Sequence, residues 1–334
     1  MAQAKHVTIT DIAKKADVSI ATVSRVLNNK KHVNGKTVEK VKSAMEALNY
    51  HAKDQMAVIP KTLIILFLPM GENPFYSSLS QGIYDTAKRY GYCVFTCQIE
   101  TDDDAYIAMS TINQYDIVAG IINVDHIFQE ETIKYLQSFC PLVQCCEACE
   151  SSENSCVGID DKAAAIKVVE YLLSTGRRKI ALINSTLDHN YARQRELGYR
   201  EALEKAGIGI NEEWIVRLSH ISYDNALFAA TQLLLKKETP DAFFAISDIY
   251  AAAVIKAAKQ CLLNVPKDIS VVGFDNIDLT TIIDPSITTV NQPRYQIGCL
   301  SCDILLGHIK QPSASIQRIY LGTELLVRAS TLNI

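Results

Sequence analysis

The 334-residue chain predicts an N-terminal all-α helix-turn-helix domain followed by an α/β core of two doubly wound parallel-sheet subdomains. Three observations carry this reading. Two short amphipathic helical patterns are joined by a sharp turn between Thr8 and Asn28. Beyond Pro60, short apolar runs alternate regularly with longer amphipathic segments, as in sheets covered by helices on both faces. Charge also divides along the chain. Residues 1–61 carry 11 Lys and Arg against 5 Asp and Glu, whereas the remainder is acidic and the whole chain stands at −4.

In the head, Ile12, Ala13 and Ala16 share one face of the first helix. Val18, Val23, Val26 and Leu27 give the second an apolar side to pack on it. Asp17-Val18-Ser19 supplies the turn, and Ser19 is placed to accept from the free N–H groups that open the second helix. That helix then presents Ile20, Ala21, Thr22, Ser24 and Arg25 outward, small or hydrogen-bonding groups that suit a DNA major groove. Lys30 and Lys31 follow, then a third helix from about Lys36 to Asn49 with Asn34 as its cap and Val38, Val41, Met45 and Leu48 as its stripe. A basic head on an acidic body is expected when only the head meets phosphate.

The core reads as strand Thr62–Leu68, helix Phe75–Tyr90, strand Cys93–Gln98, helix Ala105–Asn113, strand Ala119–Val124, helix Gln129–Ser138 and strand Pro141–Cys146. A second run follows through Cys156–Ile159, Lys162–Ser174, Lys179–Ile183, Tyr191–Ala206, Ala226–Leu235, Ala242–Ala245, Ile249–Lys259 and Ser270–Phe274. Two runs of similar length suggest two similar subdomains. In such sheets ligands bind beyond the carboxyl ends of the strands, so a cleft between the subdomains is the expected site.

Ten cysteines, five of them between Cys140 and Cys156, raise the alternative of a metal or thiol sensor. In a strand, however, adjacent Cys145 and Cys146 point to opposite faces, and cysteine away from an oxidising compartment is often a small buried hydrophobe. The histidines lack metal-ligand spacing, no cofactor is expected, and no nucleophile motif is present. Binding rather than catalysis is the expectation. With neither a leader-like apolar run nor a stretch of membrane-spanning length, the expectation is a cytoplasmic protein without a membrane partner.

The head resembles the lactose/galactose repressor family of bacterial transcription regulators through Thr8-Ile-x-Asp-Ile-Ala, Val18-Ser-x-x-Thr-Val-Ser-Arg-Val-Leu-Asn28 and Leu48-Asn-Tyr50. The resemblance continues through Asn73-Pro-Phe-Tyr76, Arg195-x-x-Gly-Tyr-x-x-Ala-Leu203, Val271-Val-Gly-Phe-Asp275, Leu279-Thr-Thr281 and Thr289-Val-Asn-Gln-Pro293, and ends at Leu326-Val-Arg-Ala-Ser-Thr331. It implies a homodimeric repressor on a near-palindromic operator. The head is residues 1–50 and the hinge 51–61. The core, 62–334, is similar to periplasmic sugar-binding proteins, with one subdomain at about 62–160 plus 292–322 and the other at about 161–291 plus 323–334. A sugar or sugar-acid effector would change the angle between subdomains and thereby the placing of paired heads.

Carried over residue by residue, the resemblance assigns DNA contact to Thr8, Ser19, Ile20, Ala21, Thr22, Ser24, Arg25, Asn28 and Lys30. Effector contact falls to Asn73, Phe75, Tyr76, Asp125, Arg195, Ser247, Asp275 and Asn291. Aromatic rings would take the apolar face of a sugar, and amides, carboxylates and the guanidinium its hydroxyls. Two departures stand out. Ser247 occupies a position where relatives usually carry Asn. The hinge helix with its groove-wedging Leu is replaced by His51-Ala-Lys-Asp-Gln-Met-Ala-Val-Ile59, leaving Ile59 as the candidate wedge. Alternative readings are the same fold answering to a purine, a sugar phosphate or a partner protein, or the cysteine-based sensor.

Overall fold

The structure, a computed structural model, describes residues 8–27, 33–48, 61–71, 73–147 and 154–332. The chain divides into two compact units, residues 1–60 and 61–334. Asn28, Lys30, Ile59 and the hinge lie outside the described residues, as does Cys149.

In the first unit, α1 (Ile9–Ala16), α2 (Ile20–Leu27) and α3 (Gly35–Ala47) surround a small core of Ile12, Ala13, Ala16, Val23, Val41 and Ala44. Thr8 opens α1 with a capping box: its hydroxyl accepts from the Asp11 amide, and the Asp11 carboxylate accepts from the Thr8 amide at 2.8 Å. Asp17 closes α1 at φ 53°, a left-handed turn that Asp tolerates better than most residues. Ser19 Oγ then accepts from the Thr22 amide at 3.1 Å, as its position in the sequence predicts. Asn34 caps α3 through the Lys36 amide.

In the second unit, two six-stranded sheets are built from β1 (Leu63–Pro69), β2 (Cys93–Ile99), β3 (Val118–Val124), β4 (Leu142–Cys145), β5 (Ser155–Ile159), β6 (Ile180–Ser185), β7 (Ile215–Leu218), β8 (Ala242–Ala245), β9 (Ser270–Asp275), β10 (Thr288–Asn291), β11 (Arg318–Leu321) and β12 (Glu324–Leu326). The orders are β11-β5-β4-β3-β1-β2 and β12-β10-β9-β8-β6-β7. All pairings in the first sheet are parallel. In the second, only the short β12 runs antiparallel, Thr289 facing Leu326. β1 of the first sheet and β6 of the second each sit between a strand that follows and one that lies further on, so each sheet has a topological switch point there.

Helices α4 (Phe75–Arg89), α5 (Asp102–Ile112) and α6 (Glu130–Gln137) follow strands of the first sheet, and α7 (Asp161–Ser174), α8 (Asn190–Lys205), α9 (Tyr223–Leu234), α10 (Asp248–Gln260) and the single turn α11 (Leu279–Ile282) belong to the second. α12 (Arg294–Lys310) returns to the first and packs on α4. The two helices approach at glycines: a Cβ on Gly82 would lie 2.2 Å from the Tyr295 carbonyl oxygen, and one on Gly298 2.1 Å from that of Leu79. The chain thus crosses between sheets after β5, after β10 and between β11 and β12.

Two differences from the sequence reading have clear causes. α5 begins at Asp102 rather than Ala105, because Thr101 and Asp104 form a capping box and Asp102 accepts from the Gln129 amide and Thr132 hydroxyl. β4 ends at Cys145, one residue before the expected end. Cys146 takes φ 66°, which breaks strand alternation and brings the two sulfurs to 3.9 Å instead of pointing them apart. β7, β10 to β12 and α12 were not expected individually. The strands are three or four residues long and half polar at the edges, too short for a period to show.

Candidate functional site

A cleft lies where the carboxyl ends of both sheets meet, enclosing about 480 Å³ of empty space continuous with solvent. Asn73, Phe75, Tyr76, Asp125, Arg195, Ser247 and Asp275 all line it. Each reaches it for a local reason. Asn73 Oδ1 accepts from the Phe75 amide at 3.1 Å and turns the chain from β1 into α4, setting Phe75 and Tyr76 edge to face with centroids 5.3 Å apart. Asp125 and Asp275 end β3 and β9 with φ of 55° and 110°. Backbone of this kind is costly for a residue with a side chain and is held only where the surroundings over-determine it, typically at binding sites. Ser247 caps α10 through the Tyr250 amide at 3.2 Å.

Asn291 does not reach the cleft. It is the last residue of β10, and its Oδ1 accepts from Asn276 Nδ2 at 3.0 Å. The next residue, Gln292, faces the space instead, since the chain leaves the strand there and side-chain alternation brings its neighbour inward. Sequence reasoning also passed over Asp161, Cys146 and Tyr191, which line the cleft. Asp161 had the same signal as Asp125 and Asp275, a carboxylate just past an apolar strand. Tyr191 and Cys146 had none.

Arg195 is the electrostatic centre. Its Nε and Nη2 each donate to Asp161 Oδ1 at 2.8 Å, and Nη1 donates to the Ile246 carbonyl at 2.7 Å. The guanidinium carbon lies 3.6 Å from the centroid of the Phe274 ring and 5.1 Å from that of Tyr191. Arg195 is 6 % exposed. Burial works against its charge, but Asp161 and Asp275 outweigh burial and hold it above its ordinary value.

The carboxylates move the other way. Burial pushes Asp125 up to about 7, against a hydrogen bond from Tyr76 and the charge of Arg195. Burial likewise pushes Asp275 up to about 7, opposed by Arg195, by a 2.8 Å bond from Gln292 Nε2 and by Arg294. Asp161 is raised by burial despite its pairing with Arg195. Beside the cleft, Glu147 accepts from the Asn190 amide at 3.1 Å and the Tyr191 amide at 3.4 Å. It thereby joins the end of the first sheet to the start of α8 in the second subdomain.

These groups offer donors, acceptors and aromatic faces that suit a small polar molecule, and no nucleophile and base stand together among them. Among the described residues no cluster of three or more ligating side chains could hold a metal ion, and no helix is long and apolar enough to cross a membrane.

In the first unit, Ile20, Ala21 and Arg25 lie on the exposed side of α2, with Ile20 53 % exposed, and Thr22 is half-buried beside them. Ser19 and Thr22 join through their hydroxyls at 2.8 Å. The exposed face of α2 thus combines the apolar Ile20 and Ala21 with hydroxyls and one cation, Arg25, a surface suited to entering a groove.

Residues 8–53 match the family model described as bacterial regulatory proteins, lacI family, and residues 169–331 match that of a periplasmic binding protein-like domain. Catabolite control protein A of Priestia megaterium is 32 % identical over 332 residues, covering 98 % of this chain and 99 % of that protein. The structure of a transcriptional regulator CelR–cellobiose complex is similar at a TM-score of 0.75 and 25 % identity, over 97 % of this chain and 100 % of that one. The lac repressor dimer bound to operator and an anti-inducer is similar at a TM-score of 0.74 and 26 % identity, over 98 % of this chain and 100 % of that one. With its helix-turn-helix, its paired parallel sheets and this likeness along almost its whole length, the chain belongs to the lacI family of bacterial regulatory proteins and is a DNA-binding transcription regulator, not an enzyme.

Proposed function

We propose that the protein is a cytoplasmic homodimeric repressor whose affinity for a two-fold operator is set by a polyhydroxylated small molecule held in the cleft. The observation that carries this is the gathering of Asn73, Phe75, Tyr76, Asp125, Arg195, Ser247 and Asp275 around one space between the subdomains. Phe75 and Tyr76, set edge to face, supply aromatic surface, and the remaining groups supply donors and acceptors around it, the combination that a sugar ring with its hydroxyls requires. Likeness to a regulator solved with cellobiose supports the same ligand class. Because the cleft is lined from both sheets, a ligand touching both favours one angle between them. That differential contact is the physical requirement for switching.

On DNA, Ile20 and Ala21 choose the operator because they lead the recognition helix, Arg25 reads a base edge, and Thr8, Ser19, Thr22 and Ser24 position the helix. A thermal-shift screen of the full chain against neutral sugars, sugar derivatives and purines tests the ligand class. A molecule that binds only the folded state raises the melting temperature by mass action. A shift with purines and none with sugars would replace the carbohydrate reading by a nucleobase one. Arg25→Ala should abolish preference for the operator over random DNA, and equal loss on both would remove the base-reading role.

A further inference from the structure

We infer that the effector is cationic: a polyhydroxylated molecule bearing a protonated amine, such as an amino sugar, in preference to a neutral sugar, a sugar acid or a sugar phosphate. The inference rests on the carbohydrate reading above and deepens it. Three carboxylates line the cleft, those of Asp125, Asp161 and Asp275, against one guanidinium, that of Arg195. Arg195 is already committed, two of its nitrogens to Asp161 and a third to the Ile246 carbonyl. Asp125 and Asp275 are left without a directly bonded cation: the first has the Tyr76 hydroxyl as its polar neighbour, and the second accepts from Gln292. Asp275 is 4 % exposed, and no described residue donates a hydrogen bond to its Oδ2, although it borders the empty space.

The surrounding charges do not close the gap. Glu147, 2 % exposed, adds a further carboxyl group, and its donors are the backbone amides that open α8. Asp248, fully buried behind Asp275, accepts from the Thr289 hydroxyl and the Ile277 amide. On the positive side, Arg294 acts on Asp275 from outside the lining and donates to the Asn276 carbonyl. Arg193 donates to the Leu187 and Asp188 carbonyls, and burial lowers the affinity of His189 for a proton.

A buried excess of negative charge has two ways out. The carboxyl groups take up protons, which is the direction in which burial drives Asp125 and Asp275 when the cleft is empty. Or a ligand brings the missing cation, and an ammonium does so with three donors that suit carboxylate oxygens. An anionic ligand meets the two carboxyl groups that no cation pairs directly, Asp125 and Asp275, and is disfavoured beside them. A neutral sugar must bind without relieving the excess.

Isothermal titration of the full chain at pH 7 decides the matter, using glucosamine, galactosamine and mannosamine beside their neutral parents, their N-acetyl derivatives, gluconate and glucose 6-phosphate. The preferred amino sugar should bind at least tenfold more tightly than its parent, which is about 1.4 kcal/mol, and N-acetylation should remove the advantage. Asp125→Asn and Asp275→Asn should each narrow the ratio to below threefold. If a variant fails to fold, the N-acetyl comparison on the unaltered protein still decides. Neutral or N-acetyl sugars binding as tightly as amines, or gluconate or the phosphate binding more tightly, overturns the inference and leaves the carbohydrate reading standing. No binding by any member overturns both.

Discussion

Replacing Arg195 with methionine tests whether its pairing with Asp161 stabilises the wall of the cleft. The two side chains are each 7 % exposed and share two 2.8 Å contacts. Methionine keeps most of the aliphatic volume over Phe274 but leaves a buried carboxylate without a counter-charge, which costs about 3–5 kcal/mol. Adding Asp161→Asn removes the stranded charge, so the double variant should retain only the loss at the Ile246 carbonyl, about 1–3 kcal/mol. The two substitutions should therefore be non-additive by about 2 kcal/mol. Urea unfolding followed by fluorescence of Trp214, the single tryptophan, reports directly on the second subdomain, where this residue is buried just before β7. The pH dependence has a definite sign. Burial already raises Asp161, and loss of Arg195, which lowers it, raises it further. A carboxyl group raised by folding is harmless below its unfolded value and destabilises progressively as pH rises through its folded value. The Arg195→Met deficit should thus be larger at pH 7.5 than at pH 5. A deficit below about 1 kcal/mol, equal at both pH values, or an additive double variant would refute the reasoning.

Glu147 offers a second pH test. Burial pushes it up to about 9, against the pull of the Tyr191 amide, from an ordinary value of 4.5. Its contribution to stability is full below pH 4.5 and declines as pH rises toward about 9. Glu147→Gln should therefore be neutral near pH 5 and stabilising by pH 8.5 in melting experiments, and a variant equally destabilised at both would show that the ionised form is the one folded in. Gly298→Ala places a methyl group 2.1 Å from the Leu79 carbonyl oxygen, so α4 and α12 must separate. Overpacking of this kind costs about 1–3 kcal/mol, and the same change at Gly307, whose Cβ would meet nothing within 4 Å, serves as the control. Equal melting temperatures for the two variants would contradict the close helix approach.

Much of the fold was legible because its signals are local. The helix caps at Ser19 and Asn34 need only a side-chain oxygen beside free amides, and the buried strands β1, β3 and β9 are continuous apolar runs that look alike in any context. The cleft was legible in part for the same reason. Asn73, Asp125 and Asp275 sit just past or at the end of such strands, and parallel topology carries strand ends to one side. Asn291 failed this rule by one residue. A strand end read from sequence is uncertain by that much, and a shift of one exchanges the two faces.

From the sequence alone follow a helix-turn-helix head, a core of two parallel-sheet halves and the chemical types that line the cleft, since these depend on periodicity, capping and residue identity. Tertiary structure alone decided how those groups share charge. Arg195 spends its hydrogen bonds on Asp161, which lies 34 residues earlier, and on the Ile246 carbonyl, so it reaches Asp125 and Asp275 only through its charge. Glu147 meets the start of α8, 43 residues later, and Cys146 leaves its strand with a left-handed turn. Electrostatic balance in a buried site depends on distances of a few ångströms between residues from separate strands, and that spacing is set by the packing of the two sheets.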